Sequence, residues 1–155
     1  MKKGKFYVLL ITLSVILIFI SGFIYFFHEP YNRAENKVLN AKKEALAMNK
    51  IESFTEFAQY NSQDIYYIGQ DEENVYVFNS DYLMVKKEPL ETIQLDLIKE
   101  RLAADYNVTD FSTLELGYEN KMISYLCRQN LGNVTQYIYL NAQDGSEIKF
   151  YELGK

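Results

Sequence analysis

One uncharged run, residues 6–27 (FYVLLITLSVILIFISGFIYFF), constrains this chain more than any other feature. Coiled as a helix at roughly 1.5 Å per residue, it is about 33 Å long, enough to cross a hydrocarbon core of about 30 Å. Inside such a core every backbone N–H and C=O needs an internal partner, which a helix supplies. The run therefore reads as a single transmembrane helix. Lys2, Lys3 and Lys5 precede it, whereas the far flank opens with His28-Glu29-Pro30 and has no cation before Arg33. Short basic flanks stay cytoplasmic. Residues 1–5 are thus expected inside and residues 28–155 outside, anchored at the cell membrane. Tyr7, Tyr25, Phe26 and Phe27 stand where an aromatic belt would lie. A cleaved signal peptide is the competing reading. Against it, the run is longer than an ordinary h-region and no A-x-A-like site follows.

Beyond the anchor the 155-residue chain leaves 128 residues, enough for one small domain or two very small subdomains sharing a core. The net charge of −5 becomes −8 once Lys2, Lys3 and Lys5 are set aside. So acidic an outer part is a poor match for nucleic acid or anionic lipid; it is compatible with a protein partner or a cationic segment, though plain solubility accounts for it more simply. The single cysteine, Cys127, cannot form an internal disulfide; in its apolar run it reads as a small buried hydrophobe. There are 14 tyrosines, all but Tyr7 and Tyr25 beyond the anchor, a usage that suits half-buried strands and also binding faces.

Taken in order, residues 31–48 read as a helix with a stripe of Ala34, Val38, Ala41, Ala45 and Met48. Residues 51–60 carry mixed periodicity and are read as a strand. Residues 64–69 (DIYYIG) and 75–78 (VYVF), joined by a polar turn, make a hairpin, and residues 82–85 add a short third segment closed by Lys86, Lys87 and Glu88. Pro89 is expected to open a second helix, apolar along Leu90, Ile93, Leu97, Leu102 and Tyr106 and stopped by Asn107. Strands follow at 111–118, 122–128, 134–140 and 146–153, the last pair joined through Asp144-Gly145. The order repeats: a helix then strands over 28–88, and a helix then strands over 89–155. Each helix and each sheet has an apolar face to cover, so the expected fold is α+β, two helix-on-antiparallel-sheet units on a membrane stalk.

This arrangement, with residues 64–69 and 75–78 in the first unit and the ending 139–148 (YLNAQDGSEI) in the second, resembles the YpmB-type, TseB-like proteins of Gram-positive bacteria. Their outer part is PepSY-like and cystatin-like. The ending is similar to the D-x-x-[DT]-G-x-[IV] close of PepSY modules. The resemblance implies a single-pass regulator of cell-wall (peptidoglycan) elongation that works beside a penicillin-binding transpeptidase. PepSY modules more broadly imply inhibition of an extracellular or membrane peptidase, the alternative reading. The resemblance brings no catalytic residues.

The residues themselves argue against an enzyme. The only histidine, His28, stands at the expected membrane exit, before any folded part, and leaves no Cys/His or Ser/His pair beyond it. No H-E-x-x-H, C-x-x-C or phosphate-binding loop is present, so no cofactor, metal or small-molecule substrate is expected. A glycosidase needs two carboxylates about 5–9.5 Å apart. Asp71, Glu72 and Glu73 read as solvated charge in a turn, and nothing in the sequence brings Glu115, Glu119, Asp144 or Glu147 together. The expected chemistry is protein binding, with Tyr66, Tyr67, Tyr76, Tyr137 and Tyr139 as candidates for an exposed strand face.

Overall fold

The computed structural model describes residues 3–25 and 29–154. His28, Phe26 and Phe27, to which the sequence assigned an interfacial role, lie outside the described residues. The chain divides into two compact units, Met1–Asn40 and Ala41–Lys155.

The first unit holds helix α1 (Lys3–Phe23) and the start of helix α2 (Glu29–Asn49). Along α1 the consecutive side chains Val15, Ile16, Leu17, Ile18, Phe19 and Ile20 are all exposed, so the helix is apolar on every side. Among the described residues no helix is long and apolar enough to cross a membrane.

The second unit is built on two antiparallel sheets. The first contains β1 (Glu56–Asn61), β2 (Ile65–Gln70), β3 (Asn74–Phe78) and β4 (Met84–Pro89), in that order. A 3-10 turn, Leu90–Thr92, leads to helix α3 (Leu95–Tyr106). The second sheet contains β5 (Glu115–Glu119), β6 (Met122–Leu131), β7 (Val134–Asn141) and β8 (Glu147–Gly154), also in chain order. Among the described residues the fold is thus α+β, with three α-helices and two antiparallel sheets, each sheet preceded by a helix.

Period-two alternation gives each sheet two apolar faces. On the first, Tyr67, Tyr76 and Phe78 point to one side, where Ala41 and Ala45 of α2 cover them together with Phe54. Ile68, Val75 and Val77 point to the other side and join Leu126 and Tyr139 of the second sheet in a core between the sheets, completed by Tyr60, Tyr118, Ile123 and Ala142. On the far side of the second sheet, Cys127, Ile138 and Leu140 lie beneath Ile98 and Leu102 of α3. Small side chains let α2 come close, and a close approach sets Gly69 as well. A Cβ there would meet the Phe54 ring at 2.8 Å.

Turn chemistry fixes the ends. Asn107 in the left-handed region (φ 55°) closes α3 as its position in the sequence suggested. Asn120 and Lys121, both with positive φ, form the two-residue turn between β5 and β6. Asp71 organises the β2–β3 turn: its carboxylate accepts the amides of Glu73 and Asn74 and the Tyr76 hydroxyl at 2.6 Å.

Several expectations are corrected. The strand expected at 51–60 begins only at Glu56, because Phe54 turns inward to cap Gly69. Lys86, Lys87 and Glu88 do not close a segment but run inside β4, an edge strand whose charges face water or pair with each other, Lys86 to Glu88 at 2.8 Å. Pro89 ends β4 in extended backbone (φ −60°, ψ 136°) rather than opening a helix, and α3 starts at Leu95. Met48 is 50 % exposed, so the stripe on α2 ends at Ala45 and the half-buried Leu46.

Candidate functional site

β1 and β5 are both edge strands, each the first strand of its sheet. Their C-terminal ends are clasped together. The Tyr60 and Ser62 hydroxyls, at 3.1 and 2.6 Å, both donate to Oε1 of Glu119, a carboxylate only 7 % exposed. The Tyr60 ring lies so near Gly117 that a Cβ would stand 2.6 Å from its carbons. Burial, and then the charge of Glu119, push the Tyr60 hydroxyl far above the ordinary tyrosine pKa. At neutral pH it is a firm donor.

Towards their N-terminal ends the same two strands part around a cleft of about 340 Å³, lined among others by Glu56, Ala58, Ile68, Glu115 and Leu116. Hydrogen-bond phase determines which backbone groups face it. The Asp71 amide bonds the Asn74 carbonyl, so in the register of β2 and β3 residues 67 and 69 point to β3. Residues 66, 68 and 70 then pair with Tyr60, Ala58 and Glu56, which leaves the N–H and C=O of Phe57 and Gln59 turned away from the sheet. Likewise the Ala142 amide bonds the Ile123 carbonyl, so Ser124 and Leu126 serve β5 and the main chain of Leu116 turns outward.

Charge at the cleft is acidic. Glu115 is held by Arg128 at 2.7 Å. Glu56 is exposed and has no hydrogen-bond or ion-pair partner among the described residues. By alternation Glu56 shares the face of Ala58 and Tyr60, and Glu115 the face of Gly117, so both carboxylates project from the faces that meet between the sheets. Burial raises the pKa of Tyr125, and the Glu56 charge adds to the shift, which places Glu56 within electrostatic reach of β6.

The five tyrosines expected on an exposed face are dispersed. Tyr67 and Tyr76 are 2 % and 5 % exposed under α2, and Tyr139 is 6 % exposed between the sheets. Tyr66 is half-buried, edge-on to Tyr118 with ring centroids 4.9 Å apart. Tyr67 and Tyr76 share the core under α2, and Tyr137 and Tyr139 meet through Tyr151, whose ring stacks on both and carries Lys149 above it at 5.1 Å. The expectation of an open strand face fails for Tyr67, Tyr76 and Tyr139 because both faces of each sheet are covered.

The carboxylates considered for hydrolysis are bound into the fold: Glu119 by Tyr60 and Ser62, Glu115 by Arg128, Asp144 by Ser146, and Glu147 by the Tyr106 hydroxyl. Cys127 is fully buried, and burial pushes its thiol pKa up. Among the described residues no group of three His, Cys, Asp or Glu side chains could hold a metal ion. Sequence reasoning missed Tyr60 and the two edges. The available signal was Gly117, a glycine inside a strand pattern, which marks a close approach. No family model, curated protein or solved structure matches the chain.

Proposed function

We propose that this chain is a membrane-anchored, outward-facing, non-enzymatic module that regulates cell-wall elongation by binding a penicillin-binding transpeptidase. The observation that carries the binding role is the pair of free strand edges, β1 and β5, parting around one acidic cleft. Open main-chain donors and acceptors recognise segments of other proteins. The anchor rests on the uncharged residues 6–27 and is supported by the apolar side chains exposed all round α1, which suit lipid rather than water. Orientation rests on Lys2, Lys3 and Lys5. A tether of this kind raises the local concentration of the module near other membrane proteins. The choice of a wall synthase as partner rests on the likeness of residues 64–69, 75–78 and 139–148 to YpmB-type proteins.

A second reading, inhibition of an extracellular or membrane peptidase, is favoured by the same open edges, because peptidase grooves bind extended chain. Crosslinking of the full-length protein in its native membrane, with mass spectrometry of the captured proteins, separates the two. Capture of a penicillin-binding transpeptidase supports the first. Capture of a peptidase without a synthase overturns it in favour of the second.

A further inference from the structure

We propose that the cleft between β1 and β5 binds an extended peptide segment of another protein as an added strand, with a basic side chain of that segment held by Glu56. This deepens the reading of the chain as an interaction module and rests on it, though not on the identity of the partner.

Three observations lead there. The outward N–H and C=O of Phe57 and Gln59 form an unused ladder edge, and Leu116, whose main chain is likewise turned outward from its sheet, lines the same cleft. Ala58, Ile68 and Leu116 give the cleft apolar walls, so alternate side chains of an added strand have somewhere to lie. Glu56, which lines the cleft, is an exposed carboxylate with no hydrogen-bond or ion-pair partner among the described residues. A peptide bringing an apolar residue inward and a lysine or arginine beside it satisfies all three.

Charge also decides against a second copy of this chain. β1 reads EFAQYN and β5 reads ELGYE, with no cation in either. Edge-to-edge pairing of two copies would leave Glu56 without a cation to answer it, whereas a basic segment supplies one. The occupant is therefore foreign and basic.

The test uses the full-length protein in detergent micelles and three labelled synthetic peptides. The first alternates valine and threonine around a central lysine. The second replaces that lysine by norleucine, and the third carries N-methyl groups on alternate amides. Fluorescence anisotropy reports binding, and amide hydrogen exchange reports where it occurs. The lysine peptide is expected to bind and to slow exchange at Phe57, Gln59 and Leu116, whereas the N-methylated peptide does not bind. Glu56→Gln is expected to weaken the lysine peptide about fivefold, the scale of one solvent-accessible ion pair, and to leave the norleucine peptide unchanged. Equal binding of the N-methylated peptide, or no protection at those amides, overturns the proposal. So does protection without peptide that grows with protein concentration alongside a dimer in sedimentation, since the occupant would then be a second copy. The outcomes stay separate from those of the crosslinking experiment. A captured synthase with no peptide protection removes only the cleft, and peptide protection with no captured synthase removes only the wall-elongation role.

Discussion

The Tyr60 hydroxyl reaches the Glu119 carboxylate across 3.1 Å and joins the edge strand of one sheet to the edge strand of the other. The bond is buried, involves a carboxylate, and is doubled by Ser62 at 2.6 Å on the same oxygen. It closes one end of the seam whose other end is the cleft.

Removing that hydroxyl isolates its contribution. Tyr60→Phe keeps the ring over Gly117 but leaves Glu119 with Ser62 alone. A hydrogen bond to a buried carboxylate is worth about 2 kcal/mol, so urea unfolding is expected to show a loss of that size. An unchanged midpoint would mean that the seam is held by apolar contact only.

The same ring makes position 117 intolerant. Gly117→Ala places a methyl 2.6 Å from ring carbons and forces the sheets apart, at a cost of about 1–3 kcal/mol. Gly154→Ala, with open space at its Cβ, is the control and is expected to be neutral. Similar thermal shifts for the two would refute the close approach.

Ser124 lies fully buried, and its Oγ has no hydrogen-bond partner among the described residues. An unsatisfied buried hydroxyl costs about 1–3 kcal/mol. Ser124→Ala should therefore leave stability unchanged or raise it by about 1 kcal/mol, as read by denaturant midpoint. A marked loss would reveal a partner for that oxygen.

Cys127 reports unfolding. Its fully buried thiol, with a pKa raised by desolvation, should not react with an alkylating reagent in the folded protein at neutral pH. Mass spectrometry should show modification only as denaturant opens the second sheet. Rapid labelling under native conditions would contradict the placement of Cys127 beneath α3.

Asp71 and Tyr76 give pH dependence of opposite sign. Burial works against ionisation of Asp71, but bonds from the Tyr76 hydroxyl and the Glu73 and Asn74 amides outweigh it and hold its carboxyl below the ordinary 3.8. Its contribution is present above that value and is lost as pH falls through the lower folded one. Tyr76 is pushed up to about 12 by burial and by its bond to Asp71. Stability is therefore retained below the ordinary 10.0 and is lost as pH rises from there towards about 12. Tyr76→Phe should make both limbs of the stability–pH curve less steep, measured by urea midpoints. An identical curve would exclude the pair.

Much of the secondary structure was legible because local signals agreed. The hairpin at 65–78, the stop at Asn107 and the Asp144-Gly145 turn follow from alternation and turn residues alone. The two-sided burial of the sheets was less visible, although the sequence carries its mark: VYVF and IYYI are continuous apolar runs rather than alternating ones, as strands covered on both faces require. Reading them as one-sided put Tyr67, Tyr76 and Tyr139 on a surface they do not occupy. Lys86 and Lys87 hid β4 because edge strands use charge where central strands use apolar residues. The cleft could not be read at all, since β1 and β5 lie more than fifty positions apart, as Glu56 and Glu115 show.

Strand order has a kinetic consequence. In both sheets neighbours in space are neighbours in the chain, so every ladder closes a short loop and each meander can zip locally at little entropic cost. The cores beneath α2 and α3 join residues further apart, and the core between the sheets joins the most distant, such as Tyr60 and Tyr139. Each meander is thus expected to form early, and the packing between the sheets late. A ligand seated in the seam would act on that same event, tightening or loosening the whole outer fold from a single edge.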